Sequence, residues 1–273
     1  MDRRDFLKKT AFIFTGAIFA PVTGILRPKK APAVGILPAL VGSGGVAAAI
    51  SWANWTEDSE ASLADSDTFV CFFENPTLGG NETGQGGGLT GAHLVLTQVN
   101  NVPGVSSGYR QLTTASQQYF EWATAAEDLM IKNKADFTIV LKCKDWATVA
   151  TAADPIVKFD LSNFFIVSST SKLRFIYTPT AGGASDVTST NAVPSSGVVY
   201  FAIWRKNGAV KAAFKATTRP TKESDFAAGD TCESTQDGVY DRAFTGHYLF
   251  TDTARWATIK AGYLVVAKKA LFS

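Results

Sequence analysis

The sequence is poor in the residues that build metal centres, nucleophilic active sites and disulfide scaffolds. It has three cysteines and two histidines in 273 residues, and no cysteine stands in a CxxC or Cys/His spacing that binds zinc. Neither His93 nor His247 has a neighbouring Ser or Cys in a nucleophile motif such as G-x-S-x-G. The sequence therefore predicts no zinc site, and it favours a half-buried strand position for His247 over the role of a catalytic base.

Charge is also scarce. Charged residues make up 18% of the chain and the net charge is +2, far from the strongly basic balance of a surface that follows a phosphate backbone. We therefore do not expect nucleic acid as a partner. Aromatic residues are plentiful, with 19 Phe and 6 Trp, which is typical of a β core and leaves some rings for binding surfaces.

The three cysteines are Cys71, Cys143 and Cys232. In an oxidising compartment one disulfide is feasible, and Cys71 with Cys143 is the pair we select, because both lie in predicted strands. The alternative is that all three are small buried hydrophobic residues. The sequence leaves both interpretations open.

The first residues resemble a twin-arginine export signal. The matching motif residues are Arg3, Arg4, Phe6, Leu7 and Lys8. Asp2 stands where such signals usually have Ser or Thr. The apolar stretch that follows, from Ala11 to Leu26, is shorter than the roughly 20 apolar residues that a membrane span needs. The resemblance implies a signal segment over residues 1–33 and export to the periplasm or the cell surface.

A second apolar stretch, residues 34–55, follows this segment, and an acidic patch from Glu57 to Asp67 comes next. Prolines and glycines in the stretch disfavour a continuous membrane-spanning helix. We expect it to be a linker, an uncleaved membrane anchor or an arm for self-association, and we expect the patch to be a solvated linker. The predicted organisation is a signal over 1–33, an arm and linker over 34–64, and one domain over 65–273.

The rest of the chain alternates short apolar runs with turn residues, which indicates an all-β class. The run TFVCFFEN is expected to be buried on both faces, and the glycine-rich segment after it, PTLGGNETGQGGGLTG, is favoured as an irregular spacer. In FTIVLKCKDW, alternation predicts an antiparallel strand with one buried face. Asn207-Gly208, between two β runs, predicts a two-residue type I′ hairpin turn.

The order of these segments resembles the concanavalin A-like, laminin-G-like jelly-roll family over about Asp67 to Ser273. Besides the opening strand and its glycine-rich segment, the resemblance is carried by a D-F-T-I strand at Asp136 to Ile139, a K-L-R-F strand at Lys172 to Phe175, a hairpin from Tyr200 to Gly208, and a closing strand from Gly262 to Leu271. It implies a sandwich of two antiparallel sheets whose first and last strands are adjacent.

Many members of that family bind glycans or proteins at a rim or concave face, often with calcium, and some are glycosidases. The family's hydrolases place paired carboxylates on one strand with an E-x-D-x-x-E cluster, and this chain has no such cluster. We therefore expect an exported, non-catalytic recognition module that binds a polysaccharide or a surface glycoprotein. The alternatives are a structural subunit of a virion, appendage or surface assembly, and a glycoside hydrolase.

Candidate ligand contacts are aromatic residues near loops or strand ends. They are Trp146, Trp204, Tyr240 and Trp256. Core packing is the alternative for each of them. Asp237 and Asp241 are candidate calcium ligands, although their segment, DGVYDR, lacks the ordered spacing of an EF-hand loop and a solvated loop is the alternative.

Overall fold

A computed structural model of the chain describes residues 50–147, 153–159, 162–167, 171–179, 183–241, 247–252 and 254–272. Its strands are β1 (Thr68–Phe72), β2 (Glu82–Thr83), β3 (Gln85–Gly86), β4 (Val95–Val99), β5 (Arg110–Leu112), β6 (Tyr119–Trp122), β7 (Phe137–Ala147), β8 (Ala153–Phe159), β9 (Ser162–Val167), β10 (Lys172–Tyr177), β11 (Ser185–Ala192), β12 (Val198–Lys206), β13 (Ala209–Ala216), β14 (Thr231–Glu233), β15 (His247–Leu249) and β16 (Thr258–Ala267). The helices are α1 (Glu60–Leu63), α2 (Thr124–Met130) and short 3-10 turns at Trp52–Asn54, Gly91–Leu94, Thr114–Ser116, Glu223–Asp225 and Ala228–Asp230. Among these described residues, no helix has the length and apolar composition needed to cross a membrane.

The strands form two antiparallel sheets, each with eight strands in the described part of the chain. Sheet A has the order β14-β13-β12-β7-β16-β1-β3, and β5 pairs with β16; sheet B has the order β11-β10-β9-β8-β15-β6-β4-β2. In sheet A the first long strand, β1, pairs with the last, β16, as the family resemblance implied. The fold is an all-β, two-sheet antiparallel jelly-roll sandwich, and the predicted fold class is confirmed.

The main core lies between the two sheets. Sheet A contributes alternate residues of its strands, such as Phe69 and Leu141, and sheet B contributes Phe120, Phe175 and others. Residues 137, 139, 141 and 143 of β7 all point into this core, which confirms the predicted alternation. Each large side chain buried there adds about 1.5–3 kcal/mol of hydrophobic free energy.

The predicted two-residue turn at Asn207-Gly208 is confirmed, and it joins β12 and β13 in a hairpin. Lys206 pairs with Ala209, and the two residues between them, Asn207 and Gly208, have φ values of 51° and 89°. Positive φ at both turn residues matches the right-handed twist of the flanking strands. The Asn-Gly dipeptide therefore sets the register of these two strands.

The outer face of sheet A is covered by a second apolar cluster, which no prediction from the sequence included. Its strand residues, among them Val140, Trp204 and Val265, point away from the main core. They pack against residues from outside the sheet, namely Trp52, Trp55, Leu63, Phe226 and Phe272. The prediction that β7 buries only one face is therefore corrected, because a second layer of side chains lies on the other face.

The residues that cover sheet A include an N-terminal strap, residues 50–63. Trp52 and Trp55 are 4% and 2% exposed. The Trp52 indole nitrogen donates to the Pro220 carbonyl at 2.8 Å, and the Arg219 guanidinium lies 4.5 Å from the centre of the Trp52 ring. These two tryptophans belong to the predicted apolar stretch over residues 34–55, and they pack on the domain. Leu63, within the predicted solvated linker, is 3% exposed, so the linker prediction is corrected at this residue. The predicted boundary between residues 33 and 34 lies outside the described residues.

The carboxylate of Glu57, a residue of the strap, forms hydrogen bonds and ion pairs with side chains of the domain. Its carboxylate accepts hydrogen bonds from Lys142 Nζ at 2.6 Å and from the phenol of Tyr263 at 3.0 Å. It also accepts from the phenol of Tyr200 at 3.2 Å, and it lies 3.4 Å from Arg219 Nε. Burial, together with the neighbouring Glu57 charge, raises the pKa of both tyrosines. One carboxylate of the predicted acidic linker is thus bound to groups of sheet A.

A buried ion pair organises the glycine-rich segment. Arg110 is 0% exposed, and its Nη1 donates to Glu82 Oε1 at 2.6 Å. The same guanidinium donates to the carbonyls of Gly80, Val102 and Pro103. The predicted irregular spacer is therefore corrected, because this segment contains β2 and β3 and is ordered around a satisfied buried charge.

Candidate functional site

The outer face of sheet B carries a row of polar and aromatic side chains across four adjacent strands. Glu121 of β6 pairs with Thr97 of β4 on one side and with Tyr248 of β15 on the other. Tyr248 pairs in turn with Lys158 of β8. The strand neighbours of these residues, such as Phe120 and Leu249, point into the main core, so strand alternation directs the row outward. Thr97 is exposed and the other three are half-buried.

Tyr119 stands beside this row. Its ring centre lies 5.9 Å from that of Tyr248, and the two planes are inclined at 75°. Neither phenol oxygen has a hydrogen-bond partner among the described residues. Burial raises the pKa of Tyr119, and the nearby Glu121 adds to the shift, so the phenol is a neutral donor at physiological pH. We call residues 97, 119, 121, 158 and 248 the tyrosine face.

Charges of both signs flank the rings of the tyrosine face. Lys158 Nζ lies 5.8 Å from the centre of the Tyr248 ring and donates to the Asp252 carbonyl at 3.1 Å. Glu121 stands on the other side of Tyr248. Next to Glu121 is a cleft of about 440 Å³ that is lined by Ala92, Val95, Thr97, Glu121, Trp122 and Ala123. The face therefore combines flat apolar surfaces with a hydrogen-bond acceptor, a cationic donor and an adjacent concavity.

Three of the four predicted ligand-contact aromatics are buried, and this corrects the prediction for them. Trp146 and Tyr240 lie in the main core, 4% and 1% exposed. Trp204 lies in the outer cluster of sheet A, where it stacks on Phe226 with ring centres 5.2 Å apart. These three side chains pack in the apolar clusters of the fold, which is the alternative that the sequence left open.

Trp256 is the predicted contact that keeps part of its surface exposed. It is half-buried, and its indole nitrogen is buried without a hydrogen-bond partner among the described residues. Its backbone carbonyl accepts from the Thr114 hydroxyl. The four predicted aromatics do not converge, because Trp204 lies on the opposite side of sheet A from Trp146 and Tyr240.

The two candidate calcium ligands, Asp237 and Asp241, are exposed. Within the described residues, no group of three or more His, Cys, Asp or Glu side chains is placed to hold a metal ion. The backbone carbonyl of Asp237 accepts from the Arg205 guanidinium at 2.8 Å. That contact fixes the backbone of the segment and leaves the Asp237 carboxylate at the surface.

The predicted Cys71–Cys143 disulfide is corrected, because the cysteines of β1 and β7 are separated by β16. Cys71 pairs with Leu264 of β16, and Cys143 pairs with Ala261 of the same strand. Adjacent strands are about 4.7–4.9 Å apart, so residues two strands apart exceed the roughly 4.4–6.8 Å Cα separation of disulfides. All three cysteines are free and buried, and burial raises the pKa of Cys232 to about 12. Their role as small core residues is confirmed.

His247 is fully buried rather than half-buried. It is 2% exposed, and its ring lies 5.8 Å from Trp122 in an edge-on arrangement. Burial lowers the pKa of His247 to about 3, so the ring is neutral at physiological pH. The strand position of His247 was predicted, and its burial keeps it away from the outer face of sheet B.

The sequence carries a local signal for the tyrosine face. In YFEW, Tyr119 and Glu121 are two residues apart and flank a core phenylalanine, so alternation directs them to the same outer face. Tyr248 stands between His247 and Leu249 in the same way. The pairing that brings these strands together joins residues far apart in the chain, and no local pattern encodes it.

Comparison with known proteins gives a fold likeness at low identity. No protein-family model and no curated protein matches the chain. The botulinum neurotoxin serotype C1 binding domain is 9% identical, with a TM-score of 0.49, over 76% of this chain and 49% of that chain. A Trypanosoma rangeli sialidase mutant displaying trans-sialidase activity is 12% identical, with a TM-score of 0.48, over 74% and 31%. Alginate lyase A1-II′, a member of polysaccharide lyase family 7, is 11% identical, with a TM-score of 0.37, over 74% and 94%.

The chain spans about half the length of the toxin domain and about a third of the sialidase. These likenesses are too weak to bear on function.

Proposed function

We propose that this chain is an exported recognition module of the concanavalin A-like type that binds carbohydrate through the tyrosine face. The observation that carries the proposal is the row in which Tyr248 stands between Glu121 and Lys158. A phenol ring offers a flat apolar surface to the C–H face of a sugar, while the flanking carboxylate and ammonium bond to sugar hydroxyls. A polysaccharide and the glycan of a surface glycoprotein both present this chemistry.

The proposed role is binding without catalysis. Hydrolysis of a glycoside uses two carboxyl groups about 5–9.5 Å apart. Among the described side chains of the tyrosine face, Glu121 is the one carboxylate. One carboxylate supports hydrogen bonding to a sugar but does not supply both the acid and the base of hydrolysis.

Binding is tested by applying the full chain to an immobilised panel of glycans, with calcium and with EDTA. We expect Tyr248→Ala to weaken binding at least about tenfold, because losing one aromatic contact of about 1.4 kcal/mol has that effect. Ile176→Ala is the matched control, since Ile176 is a half-buried residue of sheet B on the more distant strand β10. Equal binding by wild type and Tyr248→Ala would refute the site.

The same samples test two further parts of the proposal. Loss of binding in EDTA would show a calcium requirement. Release of shortened glycans from the panel, detected by chromatography, would favour the glycoside hydrolase over the non-catalytic module.

Export rests on the resemblance of Arg3, Arg4, Phe6, Leu7 and Lys8 to a twin-arginine signal, and these residues lie outside the described residues. We expect mass spectrometry to find residues 1–33 removed in cells with a working twin-arginine pathway and retained in cells without it. A protein that keeps Met1 in both strains and sediments with membranes would instead support an uncleaved anchor.

The alternative of a structural subunit relied on an arm over residues 34–55. Trp52 and Trp55 of that stretch pack on sheet A of their own chain, so these two side chains are not presented to a neighbour. Residues 34–49 lie outside the described residues, and self-association through them stays a prediction. Size-exclusion chromatography of the full chain tests it, since the recognition module needs no oligomer.

A further inference from the structure

A second cleft opens on the outer face of sheet A, between the turn at residues 106–109 and the strands β7 and β16. It has a volume of about 300 Å³ and is lined by Ser106, Ser107, Tyr109, Gln111, Lys144 and Lys260. The tyrosine face belongs to the other sheet, so the two features are separate.

Two lysines of this cleft face each other across neighbouring strands. Lys144 of β7 pairs directly with Lys260 of β16, and like charges in that position repel. Lys260 Nζ donates to Asp145 Oδ2 at 2.8 Å, and the other oxygen of Asp145 accepts from the Gly197 amide at 2.8 Å. Lys144 donates no hydrogen bond to a described residue, although the Asp145 carboxylate also lies near enough to interact with its charge. The two lysines therefore share one carboxylate, and together these three side chains leave a net positive charge in the cleft.

The wall of the cleft is fixed by close packing at Gly262. A Cβ atom at this position would lie 3.0 Å from Cε1 of Tyr109, so the absence of a side chain lets the Tyr109 ring lie against β16. Gly262 falls where the pairing of β16 with β7 shifts register, between Ala261 and Tyr263. The Lys144 ammonium lies 5.8 Å from the centre of the Tyr109 ring. The ring and the bulged strand together form one side of the cleft.

The rim of the cleft offers neutral donors. Ser106 and Tyr109 exchange backbone hydrogen bonds of 2.8 and 3.1 Å, which closes the turn. The hydroxyls of Ser106 and Ser107 have no partner among the described residues. The Gln111 amide nitrogen donates one hydrogen to the Leu112 carbonyl and keeps a second for a ligand.

We propose that this cleft binds a small oxyanion, either sulfate or the carboxylate of an acidic sugar, with Lys144 as its principal cation. A bound oxyanion compensates the Lys144 charge and offsets its repulsion with Lys260. Oxyanion oxygens also accept the hydrogen bonds that the serine hydroxyls and Gln111 can donate. The Tyr109 ring closes one side of the contact.

The test is a titration of the full, ¹⁵N-labelled chain with sodium sulfate, followed by NMR against sodium chloride at constant ionic strength. We expect saturable shifts of the amides of residues 106–111 and of Lys144. Lys144→Gln is expected to raise the dissociation constant at least fivefold. Lys172→Gln, a half-buried lysine of β10 in sheet B, is the control and is expected to leave the constant unchanged. Shifts that rise linearly with sulfate, or that Lys144→Gln leaves intact, would overturn the proposal.

Two further measurements separate charge recognition from other effects. Without added oxyanion, Lys144→Gln should unfold in one cooperative thermal transition like wild type, which shows that the variant folds. Sodium glucuronate should shift the same amides and glucose should not. A glucose response equal to that of glucuronate would overturn the proposal, because the cleft would then recognise the sugar ring and not its charge.

Discussion

Glu57→Gln is the most informative test of how the N-terminal strap is held on sheet A. The substitution keeps the shape of the side chain and removes its charge. Lys142 and Arg219, whose side chains are 22% and 11% exposed, then lose their shared carboxylate. The two phenols still have an amide oxygen to bond to, so the variant isolates the electrostatic part of the contact.

The magnitude follows from the degree of burial. Removing one partner of a fully buried ion pair costs about 3–5 kcal/mol, whereas fully exposed pairs contribute about 0.2–1 kcal/mol. The Glu57 side chain is 16% exposed, so we expect a loss of about 1–3 kcal/mol, between these limits. With a urea m-value of about 3 kcal/mol/M, the unfolding midpoint falls by about 0.3–1 M.

The assay is urea unfolding of the full chain, with Glu233→Gln as the matched control. Glu233 lies 3.4 Å from Lys211 and its side chain is 60% exposed, so its loss should be at most about 0.5 kcal/mol. Adding Lys142→Met to Glu57→Gln should recover part of the stability, because the second substitution removes an unpaired ammonium. If Glu57→Gln shifts the midpoint no more than Glu233→Gln does, the charge of Glu57 does not hold the strap.

Three other substitutions test ionisable groups that are buried or partly buried elsewhere in the domain. Arg110→Met leaves the Glu82 carboxylate, 3% exposed, without its cation, and we expect urea unfolding to show a loss of about 3–5 kcal/mol; a loss below that of Glu233→Gln would contradict the assigned role. The pKa of His247 is about 3 in the folded chain against an ordinary value of 6.5, so its neutral form contributes stability above pH 6.5 that is lost as the pH falls toward 3. The unfolding free energy of wild type relative to His247→Gln should therefore drop by about 1 kcal/mol from pH 6.5 to 5.5, and a constant difference would contradict this. Burial raises the pKa of Glu60 from 4.5 to about 7, so its protonated form contributes stability below pH 4.5 that is lost as the pH rises through 7. The unfolding free energy of wild type relative to Glu60→Gln should therefore fall as the pH rises, whereas that of wild type relative to His247→Gln rises. A slope of the same sign for both comparisons would refute the assignment.

The parts of the fold that the sequence predicted are those set by local patterns. Alternation along β7 identified its core face, and the Asn207-Gly208 turn identified a hairpin, because both depend on residues a few positions apart. The adjacency of β1 and β16 is a long-range feature, and it came from the family resemblance alone.

The parts that were missed depend on contacts between distant segments. Trp52 and Glu57 looked like an arm and a linker because nothing near them in sequence shows that Arg219 and Tyr263 complete their environment. A solvated charge and a charge buried against distant partners have the same local signature. The aromatic contacts predicted at Trp146 and Trp204 were assigned from proximity to loops, which does not report which face of a strand a ring occupies.

The ends of the described sandwich meet on one side of it. The rings of Trp52 and Phe272 lie 6.1 Å apart and edge-on, both on the outer face of sheet A. A short peptide could therefore join the backbone near Trp52 to the backbone near Phe272. New chain termini placed at the Asn207-Gly208 turn would then give a circularly permuted domain. A dye or solid support attached next to Phe272 would start from the outer face of sheet A, on the opposite side of the described sandwich from the outer face of sheet B.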